Sequence, residues 1–346
     1  MLYLDLNANI FFVYIEYKTN LVESIYLYSF ILNNKYLNFF EGLVLIWDCQ
    51  NVTIDSILFL NNYGDENLIR VTNTIFNINS GKIQGIRTYS SFIITFLSSS
   101  SFLTNLKFSQ FYPRLIYSSF GILNVSNCSF TTSFEKFGVF EICAIYIEYN
   151  NSFMISNSKF DSLSNNFYGS VNICLPLFFF LKIIKKAIYF NEISSLTNNS
   201  ISDCVFHNNT STNAGGAMYL FMPGYLTIIR CSFYNNNAQE GSGIYYAETN
   251  MKTLTLNSLS FFQNVAWENG AALFIDGSIE IIIENCNFTN NIIQQNSQNM
   301  GSVIFLNNPG NLSIISSIFK NNVGILGTCI YYSETNKKIL FYHLKF

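Results

Sequence analysis

The sequence predicts an all-β fold, a single-stranded parallel β-helix of roughly ten to twelve coils of about 27 residues each. Three observations carry that prediction. The chain is 49% hydrophobic and 17% aromatic but only 11% charged, which suits buried strands and excludes a disordered chain. A Phe-centred string recurs along it. Fixed positions around that Phe keep one chemical character throughout.

The recurrence is plainest late in the chain. Cys204-Val205-Phe206-His207-Asn208-Asn209 is followed by Cys231-Ser232-Phe233-Tyr234-Asn235-Asn236 and Cys286-Asn287-Phe288-Thr289-Asn290-Asn291. With Phe as anchor, related strings place anchors at Phe59, Phe76, Phe108, Phe130, Phe160, Phe206, Phe233, Phe261, Phe288, Phe319 and Phe346. From Phe206 onward the steps are 27, 28, 27, 31 and 27; before it they are 17, 32, 22, 30 and 46.

Each part of the coil follows from these columns. Five residues before the anchors stand Ile54, Val71, Leu103, Val125, Ile155, Ile201, Ile228, Leu256, Ile283, Ile314 and Phe341, all apolar. Strand side chains alternate, so positions −7 and −5 share the inner face of one strand, and −2 and 0 that of the next. The residue at −3 is always polar, as at Asn105, Asn127, Asp203 and Ser258. It shifts the phase, so a tight bend belongs there, and Asn, Asp and Ser tolerate such bends. Asn recurs at +3, as at Asn62, Asn79, Asn209, Asn236, Asn264, Asn291 and Asn322. Stacked at a second bend, these amides would form ladders. Gly often follows at +8 or +9, as at Gly215, Gly241 and Gly270, and a third strand such as Ile244-Tyr245-Tyr246 comes after it. An α-solenoid would need a 3.6-residue period, and a sandwich would need regular hairpin signals; neither is present.

F-x-x-N followed by a GGA[ILV]-like string resembles the repeats of polymorphic outer-membrane proteins, which also occur in large surface proteins of AT-rich protists such as ciliates. Phe206-His207-Asn208-Asn209 with Gly215-Gly216-Ala217-Met218 is the best copy, and Gly270-Ala271-Ala272-Leu273 a looser one. The resemblance implies a right-handed β-helix of the pectin-lyase type, used on surfaces and in adhesion.

The expected organisation is residues 1–50 as irregular or N-terminal coils, then 51–346 as β-helix with an apolar insertion around 174–192. That insertion, CLPLFFFLKIIKKAIYF, accounts for the step of 46. Pro176, Lys182, Lys185 and Lys186 interrupt it, so it is a poor transmembrane helix. An inserted loop, a membrane-touching hairpin and a translated intron remain open readings of it. Met1-Leu2-Tyr3-Leu4-Asp5 does not read as a signal peptide. The expected location is extracellular or at a cell surface, as part of a longer protein whose targeting signals lie outside this chain.

Function is far less legible than fold. With 18 Lys+Arg against 21 Asp+Glu there is no cationic field for nucleic acid. Glu248 and Glu334 occupy matching strings three coils apart, and Glu280 and Glu284 lie four residues apart. Neither pair is a convincing acid–base couple. Arg70, Arg87, Arg114 and Arg230 have no acid cluster beside them, and His207 and His343 have no partner at metal spacing. Of eight Cys, Cys128, Cys204, Cys231 and Cys286 share the inward −2 position, where buried thiols are expected; Cys49, Cys143, Cys174 and Cys329 fall out of register. Sequons stand at Asn51, Asn124, Asn127, Asn198, Asn208, Asn209, Asn287 and Asn311. Tyr245-Tyr246 and Tyr331-Tyr332 each put one ring inward and one outward, the outer packing at a strand end or stacking on sugars. The expectation is a non-catalytic adhesion or spacer module with no catalytic, cofactor-binding or metal-binding residues and no cofactor. Its expected partners are carbohydrate or protein ligands at a cell surface and neighbouring coils of a longer chain. The alternative is a carbohydrate-active β-helix enzyme, a polysaccharide lyase or glycoside hydrolase.

Overall fold

The computed structural model describes residues 2–3, 13–16, 25–27, 30–33, 44–60, 63–64, 67–88, 93–112, 114–131, 143–148, 152–165, 171–174, 198–221, 225–247, 253–277, 279–294, 302–325, 328–333 and 338–346. Among them there is no helix. The chain winds through three long sheets in turn. The first has 13 strands and ends at Ile330–Tyr332; the second has 12 and ends at Ile339–Tyr342; the third has 12 and ends at Ile318–Lys320. Among the described residues pairing is parallel except where Leu2–Tyr3 runs antiparallel to Val13–Glu16. A parallel sheet whose strands follow one another once per coil is a β-solenoid, the fold class the repeat predicts. Val13–Glu16, Ile25–Leu27 and Phe30–Asn33 already pair with the first full coil.

Inside, the anchor rings stack. Phe108, Phe130, Phe160, Phe206, Phe233, Phe261, Phe288 and Phe319 follow each other in register with centroids 4.7–5.0 Å apart, and Phe346 lies 5.6 Å beyond Phe319. The eleven-ring column expected from sequence is therefore a nine-ring column. Phe59 lies in the third sheet but pairs with Ile83, which separates it from Phe108. Phe76 lies in the second sheet, opposite Val52 and Ser101, and is no anchor. The true coil steps there are 24 and 25 residues, not 17 and 32.

The −3 bend is left-handed, as its residue types require. Asn105, Asn127, Asn157, Asp203, Arg230, Ser258, Asn285, Ser316 and His343 all have φ between 47° and 56°. A second left-handed position lies two residues after the anchor, at Gln110, Ser162, Asn208, Asn235, Gln263, Asn290 and Asn321. The +3 asparagines follow it and turn inward. Asn236 shows the bonding: its Nδ2 donates to Asn264 Oδ1 (3.0 Å) and to the Phe206 carbonyl (3.1 Å). Its Oδ1 accepts from the Asn209 backbone N–H and Asn209 Nδ2, both at 3.0 Å. Both donors and both lone pairs are used, so the amide is buried without an unmet bond. Asn264 and Asn291 repeat the pattern, and Asn322 ends it. Asn79 does not belong: it is exposed and donates to Asp55, as expected once Phe76 is removed as anchor. Asn62 lies outside the described residues.

The −2 position carries a second ladder. The Cys128, Cys204, Cys231 and Cys286 thiols, and the Ser158 and Ser317 hydroxyls, each donate to the carbonyl two residues back at 2.8–3.4 Å. Cys128 N–H donates to Ser158 Oγ, Cys204 N–H to Cys231 Sγ and Cys286 N–H to Ser317 Oγ. All four cysteines are buried free thiols. Cys49, thought out of register, plays the same part at the bend between first and second sheets, with Thr74 and Ser99 below it. Burial pushes the Cys128 thiol up to about 11 and the Cys286 thiol up to about 12. The stacked Cys231 side chain, helped by burial, pushes Cys204 up as well.

The long step from Phe160 to Phe206 leaves the stack intact: their rings lie 4.9 Å apart. The extra residues fall between the first-sheet strand Val171–Cys174 and the second-sheet strand Asn198–Ser202, and 175–197 lie outside the described residues.

Candidate functional site

The chemistry-bearing side chains that the fold gathers lie on the outer face of the third sheet and the bend beside it. Alternation puts the residues either side of each anchor outward. One outer row reads Lys82, Lys107, Ser129, Lys159, Val205 in register. The other reads Thr131, Asp161, His207, Tyr234, Phe262. Lys159 Nζ lies 2.7 Å from Asp161 Oδ2, and His207 Nδ1 lies 3.0 Å from Asp161 Oδ1. The His207 ring stacks on Tyr234 at 4.2 Å. Partial burial raises the Asp161 carboxyl, but Lys159, Ser162 and His207 outweigh it, and the group titrates below its ordinary value.

Next to these rows runs an open groove of about 370 Å³. Its wall is the left-handed ridge Asn105, Asn127, Asn157 and Asp203; its lining includes Lys107, Ser129 and Lys159. The Arg230 guanidinium grips Asp203 with two bonds of 2.6 and 2.7 Å and holds that carboxyl below its usual range. The groove therefore presents ammonium and carboxamide donors at intervals set by the coil rise.

The residues singled out from sequence fare differently. Glu280 and Glu284 are the two ends of one strand, Glu280–Glu284, about 13 Å apart at the ~3.3 Å rise per residue, whereas paired glycosidase carboxylates stand about 5–9.5 Å apart. They bond Thr253 and Asn257 instead. Glu248 and Glu334 lie outside the described residues, as do the side chains of Arg87, Arg114, Cys143 and Cys174. Arg70 is exposed; Arg230 serves the Asp203 pair. His207 points outward as expected, and His343 sits at its bend against Tyr342. Among the described residues no group of three or more His, Cys, Asp or Glu is placed to hold a metal. The Asn209 sequon is excluded as a glycan site in the fold, because its amide is in the buried ladder; Asn127, Asn208, Asn287 and Asn311 are exposed.

The tyrosine pairs divide as predicted at Tyr245 and Tyr246, the latter fully buried. Tyr219, Tyr245, Phe274, Phe305 and Tyr331 form an outer stack on the first sheet, with centroids 4.8–5.1 Å apart. The inner members of that stack, Tyr245, Phe274 and Phe305, spend both ring faces on their neighbours and so have none left for a sugar. Tyr332, expected inward, is 47% exposed in the last first-sheet strand.

The Lys159–Asp161–His207–Tyr234 cluster was missed in the sequence. Its signal was available: reading the residue after each anchor gives Thr131, Asp161, His207 and Tyr234 in succession. Searches of protein families, curated proteins and solved structures find no match to this chain.

Proposed function

We propose that this chain is a stiff, non-catalytic β-solenoid module of a surface or secreted protein, serving as a spacer with an adhesive flank. The observation that carries this reading is the unbroken stack of nine phenylalanines running beside a fully bonded asparagine ladder. Stacked coils that share two such columns resist bending between neighbours.

The polymorphic outer-membrane-protein resemblance fits this reading residue by residue. Phe206 enters the ring column, Asn209 the ladder, Ala217 is fully buried, and at Gly216 a Cβ would meet the Ser242 and Asn237 carbonyls. Gly215 takes φ +67° at the turn between them, with the Met218 carbonyl where a Cβ would go. The motif thus reads as core, ladder and turn, and no part of it is spent on a reactive group.

Binding of the folded chain to arrayed glycans and cell-surface proteins, run beside turnover assays on acidic and neutral polysaccharides, tests the proposal. Retention on a surface ligand with no turnover is expected. Turnover abolished by Asp161→Asn or His207→Ala would replace the reading with a carbohydrate-active enzyme.

A further inference from the structure

We infer that the groove beside the third sheet is a binding track for a linear acidic polysaccharide, lying parallel to the solenoid axis. This rests on the adhesive reading above and names its ligand class.

The shape argument comes first. The groove spans four coils, from Asn105–Lys107 through Asn127–Ser129 and Asn157–Lys159 to Asp203–Val205. Three coil steps at about 4.8 Å make it about 14 Å long. An extended sugar chain advances by a similar rise per residue, so successive residues of one ligand meet equivalent positions on successive coils.

The chemistry argument selects the charge. Lys107 and Lys159 stand two coils apart on one side, with Lys82 one coil further along the same row. The two acids nearby are already engaged, Asp203 by Arg230 and Asp161 by Lys159 and His207. Among the described residues neither Lys82 nor Lys107 has an ion-pair partner. Lysines on alternate coils suit carboxylates or sulfates borne on alternate sugars. The carboxamides of Asn127 and Asn157 offer hydroxyl partners between them.

Other occupants fit less well. A peptide adding as a strand needs a free sheet edge, and here the third-sheet strands are paired on both sides. A nucleic acid needs many cations and stackable rings; the groove is lined by two lysines, with Lys82 further along the row, and the neighbouring Tyr234 ring already stacks on His207.

The test titrates the whole chain with polygalacturonate, dextran sulfate, uncharged dextran and single-stranded oligothymidylate, at low and moderate salt. Binding to polygalacturonate, dextran sulfate or both is expected, weakening with salt, and the two arms separate carboxylate from sulfate recognition. The Lys107→Gln/Lys159→Gln double variant should lose at least tenfold in affinity, with its circular dichroism unchanged. Lys107→Glu, which leaves the Lys159–Asp161 pair intact, should lose at least as much as Lys107→Gln. Lys320→Gln, on the same face far from the groove, should match the parent. Equal binding of dextran, tighter binding of the oligonucleotide, or full affinity in the double variant overturns the assignment. Adhesion to a neutral glycan or a protein without any polyanion binding would also sink the groove, while leaving the spacer–adhesion reading intact.

Discussion

Coils before residue 132 and coils after residue 198 solve the same packing problem with different parts. The earlier coils are short, with separations of 24, 25 and 22 residues between hydrogen-bonded partners on neighbouring coils. The later ones run to 27, 28, 27 and 31. The added residues build the asparagine ladder and a fourth, five-stranded sheet that starts at Ser164–Asn165 and ends at Ile292–Ile293. Early coils instead place hydroxyl and thiol groups, Cys49, Thr74 and Ser99, at the bend between first and second sheets. Solenoid register survives a change of coil length because the difference is confined to corners, and the longer corner brings a fully bonded buried amide with it.

The largest expected effect comes from the ring column. Phe233→Ala should cost about 3–5 kcal/mol in denaturant unfolding, since it opens a cavity between two stacked rings. Ile83→Phe, at the early column position where an isoleucine separates Phe59 from Phe108, should cost far less than Phe233→Ala; an equal loss would mean the two regions pack alike. The ladder comes next. Asn264→Ala strands the Asn236 amide and its backbone N–H, and should cost about 2–4 kcal/mol. Asn79→Ala removes one exposed bond to Asp55 and should stay within about 0.5 kcal/mol. Amide hydrogen exchange on the two variants would show whether the loss stays in the later coils.

Smaller effects follow from titration. Folded Cys128 and Cys286 ionise above the ordinary thiol value, so their contribution is intact below about pH 8.5 and fades as pH rises toward about 11 and 12. Cys128→Ser should be nearly neutral at pH 7, because Ser158 and Ser317 fill the same position, and should flatten that alkaline loss in thermal melts. Asp161 has the opposite sign. Its folded carboxyl is lowered, so its contribution is present above the usual carboxylate value and is lost as pH falls through the folded one. Asp161→Asn should remove under about 1 kcal/mol and make the acid limb shallower.

The sequence and the structure part company where one residue grammar serves two corners. Val71-Thr72-Asn73 before Phe76 has the apolar −5 and polar −3 of a true anchor, and Asn73 is left-handed with φ 48°. Yet it marks the bend from first to second sheet, one strand too early. Alternation and a bend residue fix strand and turn locally, but which corner is meant depends on register with a neighbouring coil, which local pattern does not encode. Phe206 onward was legible because the ladder asparagine and the turn glycine distinguish one corner from the other. The outer cluster was hidden for another reason: Lys159, Asp161, His207 and Tyr234 are up to 75 residues apart in the chain and meet only through stacking.

The interruption between Cys174 and Asn198 has a practical meaning. Since the Phe160 and Phe206 rings stack at 4.9 Å despite the long step between them in the chain, that corner is a natural grafting point. Foreign sequence spliced there would hang from the side of the column at a fixed height, displayed without disturbing the storeys above or below.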